Sequence, residues 1–299
     1  MIEIKNAVMR YDEVDALNGV SLTIPEGCAY GLLGSNGAGK STLLRILAGI
    51  YRPSEGEVLI DGQKVYNNVR IKERVFFIND ETVQFNDMTL ADMKRYFKRF
   101  YPDFSDELFE KLQKAVELPL DKKLSTFSKG MKRQAVVICG ISCRTPYLFL
   151  DEAFDGLDPT MRIIVKQMLI DAMLDNQLTV IFSSHNLNEI DEFCDRVGLM
   201  HAGNMVFDRE LDSVKGQVIK LQTAFDRPVS EADFSGFDVL HISTSGSVTN
   251  IIARGDRDVI RESVKSLEPK IYDEIPLSLE EIFIYEMEVL GYDSSKLEK

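Results

Sequence analysis

The sequence predicts an α/β protein followed by a small α+β extension. Three observations carry that expectation. Short apolar runs alternate with helical patterns through roughly the first 210 of the 299 residues. A glycine-rich stretch at 34–42 lies between one of those runs and a helical pattern. After about Ser213 the alternation gives way to a polar, strand-rich stretch.

The apolar runs at 2–4, 20–24, 29–33, 58–60, 75–78, 147–150, 179–182 and 197–200 read as strands. Residues 40–50 read as a helix stopped near Gly49, and 106–116 as a helix with the alternating charge of a solvated face. Asp158 followed by Pro159 opens a third helix, the aspartate as N-cap and the proline at the first helical position. The Asp61–Gly62 pair signals a hairpin, and Gly203 with Asn204 another turn. In the extension, 220–253 reads as strands, 256–267 as a helix and 277–287 as a closing amphipathic helix. The expected division is 1–212 and 213–299.

Composition excludes several classes. Apolar residues at 44% and charged residues at 28% are ordinary for a folded soluble chain and exclude intrinsic disorder. The longest stretch free of charge, 239–253, is fifteen residues and carries His241, Ser, Thr and Asn, so no membrane-spanning helix is expected. Met1-Ile2-Glu3-Ile4-Lys5 lacks the basic flank and apolar core of a signal peptide, so none is expected. A net charge of −13 argues against a protein that works by holding nucleic-acid phosphates. Cys28, Cys139, Cys143 and Cys194 form no C-x-x-C pair, and with only 3 histidines no zinc cluster is read; buried reduced thiols are expected.

Gly34, Ser35, Asn36, Gly37, Ala38, Gly39, Lys40, Ser41 and Thr42 spell G-x-x-x-x-G-K-S between a strand and a helix. The glycines let successive backbone N–H groups turn toward phosphate oxygens, and the helix N-terminus adds its positive end. Lys40 is expected on the β- and γ-phosphates, with the Ser41 hydroxyl on Mg²⁺. A second run, 147–150, is a buried strand that delivers Asp151 and Glu152 to its C-terminal end. There Asp151 can hold the metal through water and Glu152 can orient or deprotonate an attacking water. A guanine-specific protein would need an Asn/Thr-Lys-x-Asp loop; the chain has no Asn-Lys or Thr-Lys pair.

About twenty residues before Asp151, Ser128-Lys129-Gly130-Met131 precedes a long helical pattern. Together these stretches make the chain resemble the ATP-binding subunit of an ABC transporter, in the drug- and antibiotic-exporter branch. Residues 128–131 are similar to that family's signature motif. The resemblance covers about residues 1–212 and implies a P-loop NTPase cassette, a core α/β layer with an antiparallel β subdomain and a helical subdomain at about 88–145. It implies that Ser128, with the N–H groups of Lys129 and Gly130, binds the γ-phosphate held by a second subunit. Residues 155–158 resemble the D-loop, with Asp155 where serine is more usual. His185 resembles the switch histidine on the γ-phosphate, and Tyr11 the aromatic that stacks on adenine. By themselves, a lone histidine and an exposed tyrosine read as structural. The family's Q-loop glutamine falls on Asp80 by a gap-free count from Thr89, which makes Asp80 a candidate metal ligand, with Gln84 four residues away. The tail resembles, less closely, the extension of export ATPases.

The implied activity is ATP hydrolysis with ATP and Mg²⁺ in a homo- or heterodimeric sandwich. That sandwich would power a separately encoded multi-span permease from the cytoplasmic face of the membrane, docking through about 80–99, without a nucleic-acid partner. A soluble ABC ATPase acting on ribosomes or DNA, and a non-hydrolysing regulatory subunit, are the alternatives. The first lacks its paired cassettes or coiled coils here, and Glu152 and His185 count against the second.

Overall fold

The first strand runs well past the apolar triplet at its start. The computed structural model describes residues 1–12, 14–79, 85, 87–227, 229–230, 233–234 and 236–289, and in it β1 spans Ile2–Tyr11 and β2 Val14–Ile24. Only part of each strand is buried, and register shifts after Ile4 and Ala7 re-aim the outer half, with Asn6 at φ 48°. A bulged, half-solvated strand carries no clean alternation, so the sequence pattern saw only its inner end.

Next come β3 (Ala29–Leu33), α1 (Lys40–Leu47), β4 (Glu55–Ile60), β5 (Gln63–Lys64), α2 (Val69–Lys72) and β6 (Val75–Ile78). Helices α3 (Leu90–Phe100) and α4 (Asp106–Ala115), a 3₁₀ turn at Leu124–Thr126 and α5 (Lys129–Ser142) fill the segment expected to be helical. Then follow β7 (Tyr147–Asp151), α6 (Pro159–Asn176), β8 (Thr179–Ser184), α7 (Leu187–Asp191), β9 (Arg196–His201) and β10 (Asn204–Glu210). The fold class is the one the sequence predicts.

Two sheets carry these elements. The first is antiparallel, in the order β2-β1-β4-β5, closed by the Asp61–Gly62 turn with both residues at positive φ. The second has the order β10-β9-β3-β8-β7-β6, with β9, β3, β8, β7 and β6 parallel. Every residue of β3, β7 and β8 is buried, which is why those runs are apolar almost throughout rather than alternating. One apolar cluster joins the sheets through α1: Ile24, Ile60, Leu44, Ile46, Tyr30 and Phe149 all lie in it. Parallel strands with crossover helices place the C-terminal ends of β3, β7 and β8 side by side, where α/β proteins bind ligands.

Helix starts follow ordinary capping. Thr89 and Asp92 form a capping box on α3, and those hydrogen bonds, with Arg95, hold the Asp92 carboxyl down to about 2. Ser105 caps α4, and Asp158, as expected, caps α6 ahead of Pro159. Helix α1 is shorter than expected, ending at Leu47 before Gly49 turns the chain at φ 67°. All four cysteines are buried and reduced.

The chain divides into compact units at 1–208 and 209–299. The second contains α8 (Leu211–Gln217), β11 (Val218–Ala224), β12 (Asp238–Ser245), β13 (Val248–Arg254), α9 (Arg257–Lys265), β14 (Ile271–Ile275) and α10 (Leu279–Val289). Its sheet is antiparallel in the order β12-β13-β11-β14, and Ile260 and Val264 of α9 pack against Leu221 and Ile251. Strand β14 went unread because it is charged and mostly exposed. Arg261 of α9 holds it by donating to both Glu274 carboxylate oxygens, at 2.7 and 2.9 Å.

Candidate functional site

The loop after β3 packs tightly against β2 of the first sheet and β9 of the second. Gly39, the N-cap of α1, sits at φ 104°, and a Cβ there would lie 2.6 Å from the Ala16 carbonyl oxygen. A Cβ on Gly34 would lie 2.4 Å from the Met200 carbonyl oxygen, so neither position accepts a side chain. Between them Ser35, Asn36 and Gly37 are exposed, Ala38 is buried, and Ala38 N–H donates to Ser35 O at 3.1 Å. Lys40 opens α1 and is 4% exposed. Its ammonium donates to Gly34 O at 2.5 Å and Ser35 O at 3.1 Å. Burial lowers the Lys40 pKa, and the carboxylates of Glu152 and Asp151 oppose that shift. A cation held at such a cost beside a helix N-terminus suits an anionic ligand.

Asp151 ends β7 fully buried. One oxygen, Oδ1, accepts from Ser41 Oγ at 3.0 Å and from Ser183 Oγ at 2.7 Å. The other, Oδ2, is buried and has no hydrogen-bond partner among the described residues. An orphaned buried carboxylate oxygen beside a serine hydroxyl is an oxygen donor set that a hard divalent cation fits. Ser183 was not read from the sequence. Its register partner on β7 is Asp151, and its hydroxyl also accepts the Glu152 N–H at 3.1 Å. The available signal was a serine pair, 183 and 184, just before His185.

Glu152 leaves the strand at φ 48°, the left-handed region, with its N–H also on Ser183 O at 3.2 Å. That turn brings Glu152 Oε1 to 3.5 Å from Nδ1 of His185, which follows β8 and is half exposed. A carboxylate facing an imidazole beside the Lys40 ammonium can take a proton from water or orient it. Lys40, Ser41, Asp151, Glu152 and His185 thus converge from the ends of three neighbouring strands.

Residues 17–155 match the ABC transporter family. The chain is 29% identical over 284 residues to the ABC transporter ATP-binding protein YtrB of Bacillus subtilis, spanning 95% of this chain and 97% of that protein. It is 30% identical to the bacitracin transport ATP-binding protein BcrA of Enterococcus faecalis, over 69% of this chain and 68% of that protein. The chain belongs to the ABC transporter family. A solved ATP-binding subunit of an ABC transporter superposes with a TM-score of 0.66 at 25% identity, over 72% of this chain and 92% of that one. The chain is therefore an ABC ATP-binding subunit and an ATPase.

The remaining motif positions of the ABC subunit occupy other elements. Ser128 caps α5, its Oγ accepting the Met131 N–H at 3.1 Å, and Ser128 and Lys129 are exposed. Gly130 is half-buried against the loop after β7; a Cβ on it would meet the Gly156 carbonyl oxygen at 3.0 Å. Among the described residues no hydrogen bond or ion pair joins Ser128 to Lys40 or Ser41. Thr42 lies near Tyr11, whose phenol pKa is raised by burial against a hydrogen bond to Thr42. Tyr11 is 39% exposed and meets Tyr51 edge-on at 6.0 Å, leaving an aromatic corner above the start of α1.

Sequence reasoning missed a network behind the site. Arg162 of α6 donates to the Leu157 carbonyl at 3.1 Å and to Glu189 at 3.0 Å. Glu189, buried, also accepts from Ser184 at 2.8 Å, which ties residues 155–158 to the turn that carries His185. Asp80 and Gln84 lie outside the described residues. In the second unit His241 tilts on Tyr285 at 5.3 Å, and in the first His201 ends β9 half-buried.

Proposed function

We propose that the chain hydrolyses MgATP in a sandwich of two ATP-binding subunits and thereby drives a separate multi-span permease, in export, from the cytoplasmic face of a membrane. The observation that carries the residue roles is the orphaned Oδ2 of Asp151, held beside Ser41 with Glu152 and His185 next along the strand ends. Lys40 and the N–H groups of 35–41 bind the phosphates, and Tyr11 stacks on the base. Ser41 and Asp151 hold Mg²⁺, with Asp80 as a further candidate ligand. The cation screens phosphate charge and orients the triphosphate. Glu152 orients or deprotonates water, and His185 contacts the γ-phosphate. Ser128 and Gly130, exposed or half-exposed at the start of α5, belong to the partner's site. That reading is supported by a helix N-terminus exposed at Ser128 and Lys129 that, among the described residues, makes no hydrogen bond to Lys40 or Ser41. Export is inferred from the signature variant at 128–131 and from the extension after it.

The Mg²⁺ role is tested by Asp151→Asn. The amide keeps the size and can still accept from Ser41, but loses the charge. The Mg²⁺ concentration for half-maximal hydrolysis should rise by about tenfold or more. An unchanged Mg²⁺ requirement would remove Asp151 from the metal site.

Docking on the permease is proposed for the aromatic face of α3. Tyr96 is 37% and Phe100 56% exposed, and with Val69, 69% exposed, they rim a groove of about 360 Å³. An apolar patch of this kind on a subunit read as permease-bound suits a short amphipathic helix of that partner. No helix among the described residues is long and apolar enough to cross a membrane, so on this reading attachment is through the partner. Phe100→Glu should leave hydrolysis by the isolated chain intact and move the co-expressed chain from the membrane to the soluble fraction. Membrane recovery equal to the parent would place docking elsewhere.

A further inference from the structure

Beside the oxygen-only pair Asp151 and Ser41 lies a second donor set of different chemistry. Glu152, Asp155 and His185 each offer one ligand atom, and the three atoms lie within 4.8 Å of one another. The backbone brings them together. Asp155 N–H donates to Glu152 O at 3.1 Å, folding the loop back over Glu152. The Glu152 N–H on Ser183 ties that loop to the strand that delivers His185 two residues later.

We propose that Glu152, Asp155 and His185 form an inhibitory site for a transition-metal cation, of which Zn²⁺ is the best match. One imidazole and two carboxylates suit Zn²⁺ better than Mg²⁺, which prefers oxygen and gives up its water reluctantly. Ligand atoms around Zn²⁺ with bonds near 2 Å stand roughly 3 to 3.5 Å apart. Side-chain rotation closes the present spacing to that. The site is open to solvent, with His185 52% and Glu152 20% exposed. Lys40, whose ammonium interacts with Glu152, is the facing cation and limits the affinity. Thiols do not compete, because all four cysteines are buried and burial raises the pKa of Cys139, Cys143 and Cys194.

The consequence rests on the function proposed above. A cation there occupies the carboxylate that would activate water and the imidazole that would meet the γ-phosphate, so hydrolysis stops while MgATP still binds. Asp155 supplies the third ligand at the position where the family more usually carries serine.

The test is a titration of the nucleotide-free chain with ZnCl₂ against a chromophoric chelator, followed by ATPase assays at saturating MgATP. The parent should bind one Zn²⁺ per chain. Asp155→Ser and, separately, His185→Ala should weaken that binding about tenfold or more, with circular dichroism confirming that both fold. In the ATPase assay, Zn²⁺ should inhibit the parent at concentrations where Asp155→Ser keeps its own zinc-free rate. Equal Zn²⁺ binding by the parent and both variants would overturn the site. So would inhibition that raising MgATP relieves. The chelator titration contains no nucleotide, so its failure leaves the ATPase roles standing. Zinc binding by the parent together with hydrolysis at the parental rate by Glu152→Gln would sink those roles instead.

Discussion

Glu152→Gln is expected to lower ATP hydrolysis by about 10²–10⁴-fold, the range for losing a general base, while ATP affinity stays at the parental level. The change keeps the size of the side chain. It also keeps the backbone N–H bonds to Ser183 that hold residue 152 at φ 48°, so the site geometry survives. What is lost is a proton acceptor 3.5 Å from the His185 ring. Because ATP then persists, closed pairs of chains should accumulate. ATP binds the closed state better than the open one, and only hydrolysis removes that difference. Hydrolysis at the parental rate would take Glu152 out of the reaction.

Lys40→Met is expected to separate ligand binding from folding. The Lys40 ammonium is 4% exposed and its pKa is lowered by burial, so the folded chain carries this charge at a cost. Methionine keeps most of the stem that packs there. Without nucleotide the variant should melt at the parental temperature, since the loss of two carbonyl contacts is offset by removal of a buried charge. With ATP the parent's melting temperature should rise, by mass action on the folded state, and the variant's should not. Hydrolysis should fall about 10²–10³-fold, as for removal of one donor from a charge-stabilising site. A variant that melts well below the parent and still responds to ATP would make Lys40 a structural residue.

The residues behind these proposed roles were legible because they are contiguous. Residues 34–42 carry their meaning in the glycine spacing, and Asp151–Glu152 in the apolar strand before them. Ser183 was not legible, since its bond to Asp151 joins residues 32 apart through a parallel register that no local pattern encodes. Arg162 and Glu189 were silent for the same reason, 27 residues apart on different helices. In the fold, parallel strands such as 29–33, wholly buried, and 75–78, mostly buried, were read to the residue because they are apolar throughout. Strands with a wet face were cut short, as in β1, or missed, as in β14, a charged edge strand placed by its ladder to β11 with the Arg261–Glu274 pair beside it. Asp80 marks the other limit: its assignment rests on counting through a loop, and it lies outside the described residues.

The central claim is that each ATP site is shared between two chains, and mixing two disabled chains tests it most directly. In a Glu152→Gln background, which holds ATP without turning it over, one chain carries Lys40→Met and the other Ser128→Arg. Alone, each chain has a defect in both sites of its pair and should retain no ATP on gel filtration. Mixed, one site combines both defects while the other has an intact Lys40 from one chain and an intact Ser128 from its partner. One trapped ATP per two chains is expected in the mixture. Full trapping by the Ser128→Arg chain alone, or no trapping in the mixture, would contradict it.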